Sequence, residues 1–478
     1  MEGLNPFRPV VAYPREFIFP ENRGIRPRNL IAKLLCAIWL IFAGHLALAQ
    51  SFVPNSGNPV KYIDILPPSP SVAKLGDFSR PGVGMVSGAM QLNIPITSIP
   101  VHNFTIPIAV SYSSNGVKVD EIASRVGMGW QLEAGGAITR SIRGERDESS
   151  QYLQLPSDHP SNPEDMPPSW SFIYMLRKAA QGQSNGVYDT EPDAFSFSFC
   201  GYTGKFILDE NDSPIQTNKS NLKIERNFSG TDWNFKVTDA NGIQFHFGGT
   251  GYVENSKKAQ TCGKSFDSLV PTAWFLRKIV LYNGDIINFN YASANYKYDL
   301  GVNQTMYYTD QPTSIPGNNC ACPSFGTNQS VNTCVNYVDT ETKYLTSIVT
   351  PDRTVSFGYT SRNDSQDKKL SSVTMAFSGT GTSENISFAL NYDEYHTTGF
   401  APSNLAILTS ENQYRIFLKE ITKSSGGETL SLYKFHYNDP AGLPVRMSFA
   451  QDHWGYFNGK SNSILIPKPP SVQYELRR

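Results

Sequence analysis

Apolar and polar residues alternate along much of this chain, in short runs separated by turn-forming residues. In residues 193–201, Phe195, Phe197 and Phe199 fall on one side and Ser196, Ser198 and Cys200 on the other, which is the period of a half-buried strand. Phe245 and Phe247 do the same in 243–248. Met90, Leu92, Ile94 and Ile96 alternate further upstream, where Pro95 marks an edge or a strand end. Strict alternation predicts that these aromatics are buried against a second layer, ahead of any ligand-binding strip. One segment, 169–180, has helical spacing at Phe172, Met175, Leu176 and Ala179. The pattern therefore predicts an all-β fold of antiparallel, hairpin-rich sheets with at most one or two short helices.

Four segments share a further pattern: Leu-x-x-Ile/Val, a turn rich in Gly, Asp, Asn or Ser, then a strand ending in Tyr. The first has Leu276 and Ile279, turn 283–285, then Ile287, Phe289 and Tyr291. The second has Leu345 and Ile348, turn 351–353, then Val355, Phe357 and Tyr359. The third has Leu370 and Val373, a longer turn through Gly379 and Gly381, then Ile386, Phe388, Leu390 and Tyr392. The fourth has Leu418 and Ile421, turn 426–428, then Leu430, Leu432, Phe435 and Tyr437. Each unit reads as a β-hairpin, because Asn-Gly and Gly-Gly supply the positive φ that tight turns need. A lone hairpin is marginal in water, so these must stack or pair edge to edge. Their spacing is irregular, with 297–343 read as an inserted loop. A generic antiparallel sandwich would give a similar pattern.

Composition agrees. The 37 Gly and 32 Pro supply turns, while 28 Phe and 24 Tyr suit strands. A net charge of −1 argues against a nucleic-acid partner. Export is indicated by Arg23, Arg26, Arg28 and Lys33 before the apolar run 34–43, then Ala47-Leu48-Ala49 with a cleavage point after Ala49. The run is short for a membrane span, which needs roughly 20 apolar residues; the alternative is a retained N-terminal anchor. The leading stretch is long for a signal peptide, which suggests a start codon downstream of Met1. No second run of membrane length follows, so no transmembrane span is expected after cleavage. Cys36 lies inside the apolar run, and no lipidation cysteine sits at the cleavage point.

Candidate chemistry is sparse. His453 lies beside Asp452, as an Asp-oriented base would, but no nucleophile accompanies it. No phosphate loop, His-Glu-x-x-His or nucleophile elbow occurs, and no pair of carboxylates stands out for glycoside cleavage. Residues 209–213 carry oxygen ligands at a spacing calcium could use, with a solvated β-turn as the simpler reading. Cys320, Cys322 and Cys334 lie in one loop and Cys262 in another; in an oxidising compartment these are disulfide candidates rather than a zinc site. The expected outcome is one bridge within the cluster, with Cys262 available to join it and Cys200 buried and free. No catalytic, cofactor-binding or metal-binding residue is assigned, and the chain is expected not to be an enzyme.

The longest distinctive block is 112–140. Asn115-Gly116 is a hairpin-turn signal, and Val117 and Val119 alternate with Lys118 and Asp120. Gly127, Gly129, Gly135 and Gly136 permit sharp bends or close approach, with Trp130 filling the space they leave. Arg140 and Arg143 are placed to pair with Asp120 and Glu121 across neighbouring strands, or else all four are solvated surface charges.

This block resembles the N-terminal region of large RHS/YD-repeat proteins secreted by Gram-negative bacteria. Further blocks agree in order: Pro70-Ser-Val-Ala-Lys-Leu-Gly76, 188–197, Gly201-Tyr-Thr-Gly-Lys-Phe206, Ala273-Trp-Phe-Leu-Arg-Lys-Ile279, and 451–459 containing Asp452, His453, Trp454 and Gly455. The resemblance implies an extended or shell-like strip of hairpins. In that family some shells enclose a toxic C-terminal domain, and other members act in adhesion or contact-dependent competition. The family's core repeat motif, a C-terminal effector and an outer-membrane sorting domain are not recognisable here. The chain ends at Arg478 where family members continue, so an N-terminal piece of such a protein is expected. The organisation then reads as a signal peptide over 1–49, an N-terminal β-rich region over 50–265, and degenerate YD-like hairpin repeats over 266–478. The expected role is an exported, non-enzymatic structural or interaction protein of the periplasm, cell surface or exterior. A β-sandwich adhesin for glycan or protein is the alternative, and a polysaccharide-active enzyme a more distant one. The expected partner is a protein or glycan, a further RHS-type segment, or a second copy joined through an exposed sheet edge.

Overall fold

Alternation of this kind makes strands that cannot stand alone, and in the computed structural model they join side by side. The structure describes residues 65–72, 90–114, 116–144, 146–148, 191–209, 211–229, 233–260, 266–308, 329–378, 385–397 and 410–466, all within one unit, Ile63–Arg478. The signal segment and the helix expected over 169–180 lie outside the described residues. Twenty described strands form two sheets, one of seventeen strands and one of three, with every pairing antiparallel. The all-β, antiparallel fold is the one the pattern predicts.

Part of the large sheet nearly closes on itself. β5 (Gly136–Arg143), β6 (Ala194–Phe199), β7 (Tyr202–Leu208) and β8 (Pro214–Gln216) run outward in sequence, and β1 (Ile65–Leu66) also pairs with β5. On the other side β13 (Phe266–Val280) pairs with β5 and β11 (Gln244–Gly248), which leads to β10 (Asn234–Thr238) and β9 (Lys223–Asn227). The seam between β8 and β9 is stitched by Gln216 Nε2 donating to the Leu222 carbonyl (2.8 Å) and by an Arg226–Asp212 ion pair (2.6 Å). Phe195, Phe197, Phe199, Phe206, Phe235, Phe245, Phe247 and Trp274 fill the interior. Burying each such side chain stabilises the fold by roughly 1.5–3 kcal/mol.

Beyond it the hairpins follow in chain order. β12 (Val253–Gln260) pairs with β13 and with β15 (Gln329–Val349), while β13 pairs with β14 (Ile286–Tyr308). Then come β16 (Arg353–Ser361), β17 (Lys368–Phe377), β18 (Ile386–His396), β19 (Tyr414–Ser425) and β20 (Glu428–Lys434), each paired with the next. All four Leu…Tyr units contain a hairpin, with Ile279 opposite Ile287, Ile348 opposite Val355 and Val373 opposite Phe388; in the fourth a further register shift sets Ile421 opposite Tyr433 and leaves Leu432 as an extra residue.

Two further regularities emerge. In every unit the residue after the first leucine (Arg277, Thr346, Ser371 or Lys419) is an extra residue in the ladder, a β-bulge. A bulge bends its strand and sharpens the twist, so one bulge per unit curves the strip at a regular interval. In three units the terminal tyrosine hydroxyl also donates back to that leucine's carbonyl: Tyr291 to Leu276 (2.9 Å), Tyr392 to Leu370 (2.6 Å) and Tyr437 to Leu418 (2.7 Å). Each latch satisfies a carbonyl next to a bulge.

The three-stranded sheet, β2 (Met90–Val101), β3 (Phe104–Ser114) and β4 (Trp130–Glu133), packs against the apolar face of the large one. Ile94, Ile99, Ile106, Ile108 and Val110 share a single core with the hairpin leucines and phenylalanines. Phe104 reaches Phe245 of the aromatic interior, with ring centres 6.0 Å apart. Pro95 sits on the edge strand β2 next to a register shift, as a residue without an N–H requires.

Two sequence expectations need correction. Residues 297–308 and 329–343 are not loop; they are the outer arms of β14 and β15, which pair from Asn288–Val349 out to Tyr308–Gln329. Tyr296, Tyr298, Val302, Val335 and Val338 do alternate inward there, but Asn, Gln, Thr and Asp on the other face mask the pattern. Asn115-Gly116 does not make a tight hairpin either. Asn115 itself lies outside the described residues, and β3 pairs with β4 only after the intervening chain to Gly129 has dived into the molecule.

Candidate functional site

That diving segment, 117–129, carries four of the residues singled out from sequence: Asp120, Glu121, Gly127 and Gly129. Its carbonyls leave the surface without a strand partner, so something else must hydrogen-bond them. Three arginines far along the chain do so. Arg362 donates to the carbonyls of Ala123 (3.0 Å) and Ser124 (2.8 Å). Arg415 donates to those of Val119 (2.8 Å) and Glu121 (3.4 Å), and Arg446 to that of Asp120 (3.2 Å). Arg125, within the segment, forms a bidentate pair with Asp367 (2.9 and 3.0 Å). Arg362 is likewise forked onto Asp364 (2.7 and 2.6 Å). Planar guanidinium groups suit such multiple acceptors.

The electrostatics follow burial. Burial works against the charge on Arg125, but Asp367 holds its pKa above the ordinary value. Arg415 has only carbonyl partners; burial and then neighbouring Arg446 push its pKa down to about 10. Burial raises the Asp120 carboxyl, although Arg446 and the amides of Val302 and Met447 oppose this. Asp120 therefore anchors the segment to 302 and 447. The expected pairing of Arg140 and Arg143 with Asp120 and Glu121 is not formed. The Glu121 carboxylate instead accepts from the Lys118 amide (3.4 Å).

The glycines permit the path. A Cβ on Gly127, at φ +106°, would stand 2.9 Å from the Leu418 amide nitrogen, so the backbone lies directly on β19, where the Met128 amide donates to the Ile416 carbonyl (2.9 Å). Gly136, at φ +145°, would place a Cβ 2.3 Å from the Ser198 carbonyl oxygen. Gly129 lies under the Tyr112 ring and Gly135 under Phe289. Trp130 is buried between Tyr112 and Phe435, with ring centres at 5.1 and 4.7 Å. Its Nε1 donates to the Tyr437 hydroxyl (2.7 Å), so the latch of the fourth unit is tied to this block.

Asp452-His453-Trp454-Gly455 forms a turn clamped to the same segment. Asp452 Oδ1 accepts the amides of Trp454 and Tyr456 (2.9 Å each), and the Gly455 carbonyl accepts from the Val119 amide (2.8 Å). Asp452 thus orients backbone and not the His453 ring. His453 is exposed, and Trp454 is 72% exposed at the turn's tip.

Arg140 belongs to another cluster. It donates to Asp193 (2.7 Å through Nε) and to Glu148 (3.2 Å through Nη1), and the Arg143 amide also donates to Asp193 (2.9 Å). Asp147 and Asp193 accept each other's amides (3.3 and 3.1 Å) where the chain leaves β5 and returns to β6. Both are buried. Burial and then the charge of Asp193 push Asp147 up to about 7, and burial raises Asp193 against the pull of Arg140.

The remaining candidates lie elsewhere in the fold. Cys334 is disulfide-bonded; Cys262, Cys320 and Cys322 lie outside the described residues. Cys200 is a free thiol, half-buried, and burial pushes its pKa up to about 12. Asp209 Oδ1 accepts the amides of Asn211 and Ser213 (2.9 and 2.7 Å), a closed turn of the solvated kind. Among the described residues no group of three or more His, Cys, Asp or Glu side chains is placed to hold a metal, and no helix is long and apolar enough to cross a membrane. Sequence reasoning missed Arg362, Arg415 and Arg446, whose positions carry no local signal, and Asp193, which it read only as the start of a strand.

β20 pairs only with β19 among the described residues, and six of its seven residues are exposed, with Leu430 at 64%. It is an open edge.

The sequence matches no known protein family and no curated protein. Among solved structures, the crystal structure of TcdB2-TccC3-Cdc42 aligns at a TM-score of 0.37 and 11% identity, over 74% of this chain and 16% of that one. The Photorhabdus luminescens Tc holotoxin pore aligns at 0.36 and 10%, over 80% and 16%. The N-terminal domain of effector protein SpvB from Salmonella typhimurium strain LT2 aligns at 0.29 and 11%, over 72% and 99%. This chain thus spans a small fraction of the toxin-complex chains, and the likeness is one of β-rich architecture only.

Proposed function

We propose that this protein is an exported, non-catalytic scaffold of RHS type, a curved strip of hairpins whose working surface is an open strand edge. The observation that carries the reading is β20, a terminal strand left uncovered beside an otherwise paired sheet. Its sequence, Glu428-Thr-Leu-Ser-Leu-Tyr-Lys434, is self-complementary. Antiparallel pairing with a second copy about Ser431 sets Glu428 against Lys434, Thr429 against Tyr433 and Leu430 against Leu432. Strand addition of this kind takes its affinity from main-chain hydrogen bonds and its specificity from such side-chain pairs. A further RHS-type hairpin would use the same edge.

Sedimentation velocity on the exported chain tests this. The expected result is a dimer at high micromolar concentration, a monomer for Glu428→Lys, and a dimer again when Lys434→Glu is added. A monodisperse monomer of the parent chain would refute the edge. A second reading, adhesion to a glycan or protein, rests on Trp454, whose indole stands in solvent at the tip of a turn fixed by Asp452. A glycan array that responds to the parent but not to Trp454→Ala would favour it.

A further inference from the structure

The outer face of the aromatic region carries a row that the scaffold role does not use. Register places Glu225 beside Lys236, Lys236 beside His246, His246 beside Lys278, and Lys278 beside Asn288, across β9, β10, β11, β13 and β14. Arg277, the extra residue of the first bulge, stands next to Lys278. His246, Arg277 and Lys278 are all half-buried. Glu225 is already engaged by Lys236 (2.9 Å) and Lys223 (3.0 Å), and no described carboxylate pairs with Arg277 or Lys278. Arg277 Nε and His246 Nε2 are buried atoms with no hydrogen-bond partner among the described residues. Two adjacent cations without counter-charge and two orphaned ring or guanidine nitrogens are an unusual combination, since buried polar atoms are rarely left unmet.

We propose that this row is an oxyanion site, in which phosphate or carboxylate oxygens sit between Lys236, Arg277 and Lys278 and accept from Arg277 Nε and the His246 ring. Guanidinium and ammonium groups on one stretch of sheet provide charge-assisted donors of the right kind. His246 reports on occupancy. Burial, then Lys278, Arg277 and Lys236, push its pKa down to about 4. The only carboxylate in its row is Glu225, beyond Lys236, and Asn288 from β14 is neutral. An anion seated among the cations cancels their repulsion and gives the protonated ring an acceptor, so it raises the titration midpoint.

The test is an NMR titration of the full exported chain carrying 13C-labelled histidine, with the His246 signal assigned by its loss in His246→Gln. Inorganic phosphate, acetate and chloride are compared at equal ionic strength. The expected result is a His246 midpoint higher by about one pH unit or more, a tenfold preference, in phosphate, in acetate or in both. A response to phosphate alone assigns the site to phosphate- or sulfate-bearing ligands, and a response to acetate assigns it to carboxylates. In Lys278→Met and Arg277→Gln the midpoint starts higher and the anion response is lost, with the far-ultraviolet circular dichroism unchanged. Identical midpoints in all three salts overturn the proposal, as does a response that survives both substitutions.

Discussion

Replacing Asp147 by asparagine should stabilise this protein increasingly as pH rises from about 4 to 7, and fully above that. Asp147 is 6% exposed and faces the Asp193 carboxylate, with each accepting the other's amide. Its midpoint rises from the ordinary 3.8 to about 7, first from burial and then from the Asp193 charge. The folded state therefore binds this proton more tightly than the unfolded chain does. Below pH 3.8 both states are protonated and the fold is at its best with respect to this group; stability then falls as pH rises to about 7, and stays low above it. At 1.36 kcal/mol per pH unit the full loss is about 4 kcal/mol. The asparagine side chain keeps an acceptor for the Asp193 amide and gives up the negative charge, but it also gives up an attraction to Arg140. The net gain expected at pH 8 is thus about 2–4 kcal/mol, falling to about 1–2 kcal/mol at pH 5, where the folded parent is neutral but the unfolded chain is already ionised. Urea unfolding followed by tryptophan fluorescence, for parent and variant at pH 5, 6, 7, 8 and 9, reads this directly. The separation between the two midpoints should be smallest at pH 5, grow up to about pH 7 and stay constant above it. A separation that does not change with pH, or a variant less stable at pH 8, would show that the carboxylates do not repel and that the geometric account is wrong.

Three further outcomes are expected. Tyr392→Phe leaves the Leu370 carbonyl unmet beside a bulge and should cost about 1–3 kcal/mol in urea unfolding, whereas Tyr359→Phe, with no such latch described, should cost less. Gly136→Ala drives a Cβ to 2.3 Å from a carbonyl oxygen at positive φ and should cost more than about 3 kcal/mol or abolish folding; Gly284→Ala, in open space at a turn, should cost only about 1 kcal/mol. Trp454→Ala, at a tip where the indole touches little, should leave stability within about 0.5 kcal/mol of the parent, and a large loss in thermal unfolding would mean the turn is held by its ring and not by Asp452.

What the sequence disclosed, and what it hid, follows from how far each interaction reaches. The Leu-x-x-Ile and terminal Tyr pattern fixes hairpins because its information is local: alternate residues choose a face and glycines choose the turn. The same pattern hid its bulge, since one extra residue in a ladder shows only when both strands are aligned. The long arms of β14 and β15 escaped because a strand whose outer face is Asn, Gln and Thr resembles a loop in composition. The block 112–140 stands out in sequence by its glycines and Trp130, and in the structure Gly127 and Gly136 lie against neighbouring backbone while Trp130 is buried between two rings. Its partners were not legible. Arg140 chose Asp193 over Asp120 because β5 lies beside β6, an adjacency no spacing reveals.

The arginine-held segment has a consequence for how the chain is made and moved. Asp120 waits for Arg446, 326 residues further along, and Val119 waits for Arg415, 296 residues along. Until the chain has been made as far as Arg446, the backbone of 117–129 lacks guanidinium groups that meet its carbonyls. A polypeptide that locks late stays pliable until then, so the last guanidinium to arrive sets the moment at which this segment becomes fixed.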